Sequence, residues 1–122
     1  MRQSMLVAAG ITAIGLLSAG GASAQDATKA DPKHYKVEFE NDQVRVLRIA
    51  YGPMEKSVMH EHPAGLAVFL TDCKGRFTYP DGKSEEITAK AGQTMWLPAV
   101  KHQPENTTDA PFELIQVEMK GK

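Results

Sequence analysis

Val58-Met59-His60-Glu61-His62 and the later stretch Gly92-Gln93-Thr94-Met95-Trp96-Leu97-Pro98-Ala99-Val100-Lys101-His102-Gln103-Pro104-Glu105-Asn106 hold three of the chain's four histidines. The first reads as extended. Side chains two apart on a strand share a face, so His60 and His62 project together while Met59 and Glu61 point away. Two neutral imidazoles on one face suit Fe, Mn, Ni, Cu or Zn. The second stretch is an apolar run between a turn glycine and a proline-rich loop. It reads as a strand followed by a return strand, from which His102 faces the pair.

Working outward, strand-like runs cover Tyr35 to Phe39, Val44 to Tyr51, Val58 to His62, Leu66 to Thr71, Arg76 to Tyr79, Ser84 to Thr88, Thr94 to Leu97 and Phe112 to Met119. Turn signals separate them at Asn41-Asp42, Gly52-Pro53, Pro63 with Gly65, Lys74-Gly75, Pro80-Asp81-Gly82-Lys83, Ala91-Gly92 and Asp109-Ala110-Pro111. Short strands at this spacing, with no convincing amphipathic helix, indicate an all-β barrel or sandwich. Leu47, Ile49, Val68, Leu70, Phe77, Trp96, Leu114 and Val117 are the expected core or pocket walls. Trp96 and Phe69 could stack an aromatic ligand, although an aromatic on a strand more often packs the core. Met54, Met59 and Met95 read as gap fillers rather than metal thioethers.

The histidine stretches resemble the two motifs of the cupin superfamily. Its first motif runs glycine, spacer, His-x-His, three or four residues, glutamate, spacer, glycine; Gly52, His60, His62 and Gly75 take those places. The second, glycine, five residues, proline, turn, histidine, three residues, asparagine, is met by Gly92, Pro98, His102 and Asn106, one residue short between proline and histidine. The resemblance implies an all-β, cupin-type jelly-roll (double-stranded β-helix) barrel over residues 34–122. It implies His60, His62 and His102 as metal ligands for a divalent transition metal, Fe(II) or Mn first, with Ni, Cu or Zn as alternatives. The motif glutamate should fall at Leu66 or Ala67, and no acidic residue lies between Glu61 and Asp72. The site is therefore read as three histidines without a carboxylate, which leaves a bound ion more positive and less firmly held. The thiol dioxygenase branch commonly has a cysteine at that position, and none stands here.

Two functions follow from the resemblance. One is a quercetin-dioxygenase-like oxidoreductase acting on a small enolic or aromatic molecule. The other is a non-catalytic module that captures a small molecule or a metal, a reading the short chain favours slightly. A sugar isomerase or epimerase would need an additional base in the pocket, and the sequence presents no clear one. A homodimer through edge strands is what the resemblance suggests for assembly.

Residues 1–24 carry Arg2, an apolar stretch from Met5 to Leu17, and Ala22-Ser23-Ala24 before Gln25. That is the pattern of a signal peptide cut after Ala24, giving a periplasmic or secreted protein with no membrane association after cleavage. The apolar stretch is short for a membrane span. Residues 25–33 read as a flexible leader. Only Arg2 of the 14 basic residues would be lost, against 15 acidic ones, leaving a net charge of minus two. With no basic cluster, a nucleic-acid partner is not expected. The single cysteine, Cys73, cannot form an internal disulfide, so an apolar core must stabilise the fold; Cys73 itself reads as a turn or partly buried thiol.

The remaining polar candidates are weighed by position. Strand parity turns Glu61 outward, towards solvent or a supporting role. Asn106 is expected to stabilise a loop. Gln103 and Glu105 flank His102 and could orient a water. His34 precedes the first strand and reads as a surface histidine.

Overall fold

The computed structural model describes residues 25–121. The signal pattern at residues 1–24 lies outside the described residues.

The described chain is a succession of antiparallel strands: β1 (Tyr35–Glu40), β2 (Val44–Tyr51), β3 (His60–His62), β4 (Gly65–Phe69), β5 (Cys73–Thr78), β6 (Ser84–Ala89), β7 (Thr94–Leu97), β8 (Val100–Asn106) and β9 (Phe112–Met119). They form a five-stranded sheet, β1-β2-β9-β4-β7, and a four-stranded sheet, β3-β8-β5-β6. The two inner faces meet over a core of Tyr35, Leu47, Ile49, Tyr51, Ala67, Phe69, Phe112 and Leu114. Apart from the β1–β2 and β5–β6 hairpins, consecutive strands pass from one sheet to the other, so the histidines of β3 and β8 face β2, β4 and β9.

Local chemistry explains the close fits. A Cβ on Gly65 would stand 2.3 Å from the Val117 carbonyl oxygen, and one on Gly75 would stand 2.3 Å from that of Glu105. Only glycine allows β4 and β5 to approach β9 and β8 at these points. Gly92 turns the chain into β7 with φ of 87°, a left-handed conformation that disfavours other residues.

Several expectations differ from the structure. The inward residues of β4 are Gly65, Ala67 and Phe69, so Val68 turns to the outer face and Leu70, beyond the strand's end, is exposed. On β9 the buried positions are Phe112, Leu114, Gln116 and Glu118, which puts Val117 outside. Trp96 is likewise outward and 56% exposed. A one-residue shift of register exchanges every side chain between faces, and polarity alone misassigned these. Phe39, Val46, Val117, Leu66 and Trp96 instead lie in register across the outer face of the larger sheet.

Strand β8 is the return strand expected to carry His102, and it runs on through Pro104 to Asn106, past the proline that reads as loop. The segment expected as a flexible leader, residues 25–33, contains a short helix, α1 (Ala27–Ala30). Asp26 caps its first turn and pairs with Arg45 of β2, while Ala27 is fully buried. Among the described residues no helix is long and apolar enough to cross a membrane.

Candidate metal centre

Strand β3 is only three residues long, and its alternation buries His60 and His62 while Glu61 stays half-exposed. Strand β8 pairs with it antiparallel and sets His102 directly opposite His60. The three imidazoles converge edge to face, with ring centroids 4.8 to 5.3 Å apart. One nitrogen from each lies within 4.8 Å of the others. All three rings are at most 4% exposed. Phe77 packs against His102 at 4.3 Å between centroids, and Tyr35 packs against His60 at 4.8 Å.

The hydrogen bonds assign the tautomers. His60 Nδ1 donates to the Val58 carbonyl at 2.9 Å, with Ser57 Oγ at 3.2 Å. His62 Nδ1 donates to Glu118 Oε2 at 2.7 Å. In a neutral imidazole the other nitrogen, Nε2, then carries the lone pair. His60 Nε2 and both nitrogens of His102 are buried and, among the described residues, have no hydrogen-bond partner. Buried polar atoms left unpaired are costly and uncommon, and neutral imidazole nitrogens aimed at one point are what a transition metal requires. The residues present thus fit a metal ion.

Electrostatics keeps them ready for it. Burial, reinforced by the neighbouring His62, lowers the His60 pKa to about 4. Burial, with His62 and His60 beside it, lowers that of His102 to about 2. Both rings are therefore neutral across the physiological range.

Glu118 is a supporting residue that polarity pointed away from. It is 2% exposed and accepts from His62 on one side and from Arg45 on the other, at 2.7 Å each. Arg45 continues to Asp26. A carboxylate on the outer nitrogen of a ligand histidine fixes its ring and strengthens its lone pair. The available signal was parity: Phe112 and Leu114 inward put Gln116 and Glu118 inward too.

The other expected positions sort as follows. Asn106 stabilises a loop, its Nδ2 donating to the carbonyls of Gly52 and Ala110 and its Oδ1 accepting from Thr108. Gln103 donates to the Ser57 carbonyl, and Glu105 pairs with Arg76, so neither is arranged around His102. Cys73 opens β5 as a buried thiol, its pKa pushed up to about 11 by burial. Phe69 is core. His34 is not a surface residue: it is 5% exposed, with Nδ1 hydrogen-bonded to Asp31 at 2.6 Å and Nε2 to Glu55 at 2.8 Å.

Two spaces adjoin the cluster. An inner cavity of about 50 Å³ is lined by His62, His102, Gln116, Tyr35, Phe69 and Leu114, among others. A larger space of about 260 Å³ leads outward from His102 and Gln116 between Phe77, Met95, Trp96 and Val100. Both have predominantly apolar walls.

The Cupin domain family model matches residues 47–118. A cupin domain from Bordetella pertussis Tohama I is similar with a TM-score of 0.67 at 21% identity, over 84% of this chain and 100% of that one. A protein with a double-stranded β-helix domain from Klebsiella pneumoniae has a TM-score of 0.57 at 20% identity, over 72% of this chain and 76% of that one. The DMSP lyase of Ruegeria pomeroyi has a TM-score of 0.53 at 13% identity, over 75% of this chain and 49% of that one. At these identities the likeness is one of fold. No curated protein matches the sequence. With the family's domain spanning more than half of the chain, from β2 through both histidine stretches to β9, the chain belongs to the cupin superfamily.

Proposed function

We propose that the protein binds one divalent transition metal through His60, His62 and His102, Fe(II) or Mn in first place, and uses it to oxidise a small enolic or aromatic molecule with dioxygen. The observation that carries the metal reading is the convergence of one nitrogen from each of three buried imidazoles within 4.8 Å, with His60 Nε2 and both His102 nitrogens lacking a hydrogen-bond partner among the described residues. When bound, such an ion supplies Lewis acidity and, if redox-active, one-electron chemistry.

The chain's own residues supply the rest. His60 and His62 present Nε2 because Val58 and Glu118 hold their Nδ1 protons. His60, His62 and His102 would hold the ion through three neutral nitrogens and would leave it accessible to a substrate oxygen. Phe77, Met95 and Val100 flank the approach to His102 with apolar surface, which limits water and favours a flat, weakly polar body. The approach, about 260 Å³, falls just below the usual range of ligand pockets, about 300–1,000 Å³, and so suits a one- or two-ring molecule.

The fold does not choose the chemistry, and the small pocket also supports a second reading, a module that captures a ligand without turning it over. The Ala22-Ser23-Ala24 cleavage pattern supports a periplasmic or secreted site of action for either. Elemental analysis of the mature chain beside a His60→Ala/His62→Ala variant tests the metal. Near-stoichiometric Fe, Mn, Ni or Cu that vanishes in the variant supports the centre, and equal metal in both refutes it. Oxygen uptake with a small enolic substrate such as a diketone then supports the dioxygenase. Saturable binding without oxygen uptake or product supports the module.

A further inference from the structure

The family's glutamate position falls at Leu66 or Ala67, and the structure separates the two. Leu66 turns outward in register with Trp96 and Val117, whereas Ala67 is fully buried and faces the core. Directly opposite Ala67, on β9, stands Gln116. Residues paired across neighbouring strands have Cβ atoms about 5 Å apart, so the long side chain of Gln116 lies beside the space a longer side chain at position 67 would occupy. Gln116 is 4% exposed and borders both the inner cavity and the approach to His102. Two residues along the same face, Glu118 is already committed to His62 and Arg45. Among the described residues the Gln116 side chain makes no hydrogen bond, and it lines both spaces beside His102, where its amide is available to a bound ligand.

We propose that Gln116 is the residue that makes this centre selective for anionic oxygen ligands, such as enolates, catecholates or carboxylates. The inference rests on the metal reading above. Three neutral imidazoles leave a divalent ion's charge uncancelled, and the carboxylate of Glu118 is engaged by His62 and by Arg45, which it shares with Asp26. A glutamate at the pocket wall would neutralise part of that charge and repel an anion. A glutamine leaves the charge for the ligand and donates an amide N–H to its oxygen. Gln116 thus replaces the missing acid in position but inverts its electrostatic effect.

The test uses Co(II) as probe ion and acetate as probe anion, both followed in the visible spectrum of the mature chain, with acetamide as the neutral control. Wild type is expected to bind acetate in preference to acetamide. Gln116→Glu is expected to hold Co(II) about tenfold more tightly and acetate at least about tenfold more weakly. Gln116→Leu, which keeps the packing without introducing charge, is expected to hold Co(II) within about threefold of wild type and acetate about fivefold more weakly. Acetate affinity unchanged in the Leu variant, or in a folded Glu variant, overturns the proposal. Co(II) binding that is lost in His102→Ala but unchanged in a folded Gln116→Glu variant defeats this inference alone. Failure of wild type to take up Co(II) defeats the metal reading and this inference with it.

Discussion

Two buried histidine sites in this molecule treat the same side chain in opposite ways. His34 and His102 are 5% and 3% exposed. Both ring nitrogens of His34 are hydrogen-bonded, to Asp31 and to Glu55, and the ring stacks on Tyr51 at 4.2 Å with the planes 6° apart. His102 packs on Phe77, and neither of its nitrogens has a partner among the described residues. Burial raises the Asp31 pKa, but hydrogen bonds from Ser57 and His34 outweigh it and the net shift is downward. The Gly52 amide, then His34 and Lys33, lower that of Glu55 to about 2. One site is a closed crosslink between the chain before β1 and the loop after β2. The other is a set of donors left open. Depth of burial does not separate the two sites; the completeness of their hydrogen bonding does.

Exchanging each residue for leucine should break the comparison most sharply. His102→Leu is expected to lower metal affinity by at least about 100-fold, while metal-free stability stays within about 1 kcal/mol because no hydrogen bond is lost. His34→Leu is expected to cost about 3 kcal/mol, since Asp31 is left buried beside an apolar group, with metal stoichiometry unchanged. Urea unfolding and metal titration of both variants check the pair; a metal defect in His34→Leu, or a large stability loss in metal-free His102→Leu, would erase the distinction.

Glu118→Gln probes the support beneath the open site. It removes the charge that His62 and Arg45 share, and metal affinity is expected to fall about 10- to 100-fold by titration with a competing chelator. Stability against pH should distinguish the sites further. The pKa values of His60 and His102 are depressed, to about 4 and about 2. Between those values and the unfolded value of about 6.5, the unfolded chain binds more protons. The stability they contribute is complete above about pH 6.5 and is lost as pH falls, first through the His60 value near 4. The urea midpoint of metal-free protein should decline from pH 7 to pH 4.5, and the decline should be shallower in His60→Leu. The smallest effect belongs to Glu61→Gln, between the two ligands but turned away from them. Its stability should remain within about 0.5 kcal/mol of wild type and its metal content unchanged.

The legible and illegible parts of the site differ in kind. His60 and His62 were readable as neighbours because period two is a property of any strand, and His102 because a turn glycine and Pro98 punctuate its approach. Glu118 and Gln116 were not read as inward. Leu114 and Val117 were both expected in the core although they lie on opposite faces of one strand, and only the pairing of β9 with β2 and β4 settles that conflict in favour of Leu114. His34 is a similar case. Nothing near it in sequence predicts Glu55, which lies 21 residues away and closes its second nitrogen.

What the sequence determined by itself was the alternation of strands and turns, the all-β class, and the three imidazoles at motif positions. These depend on local backbone geometry and residue spacing. What only the tertiary structure decided was which face of each strand turned inward, which histidine was capped and which left open, and that a glutamine from β9 stands opposite the position where an acid is missing. Those outcomes depend on register between strands distant in the chain, where a shift of one residue reverses every assignment.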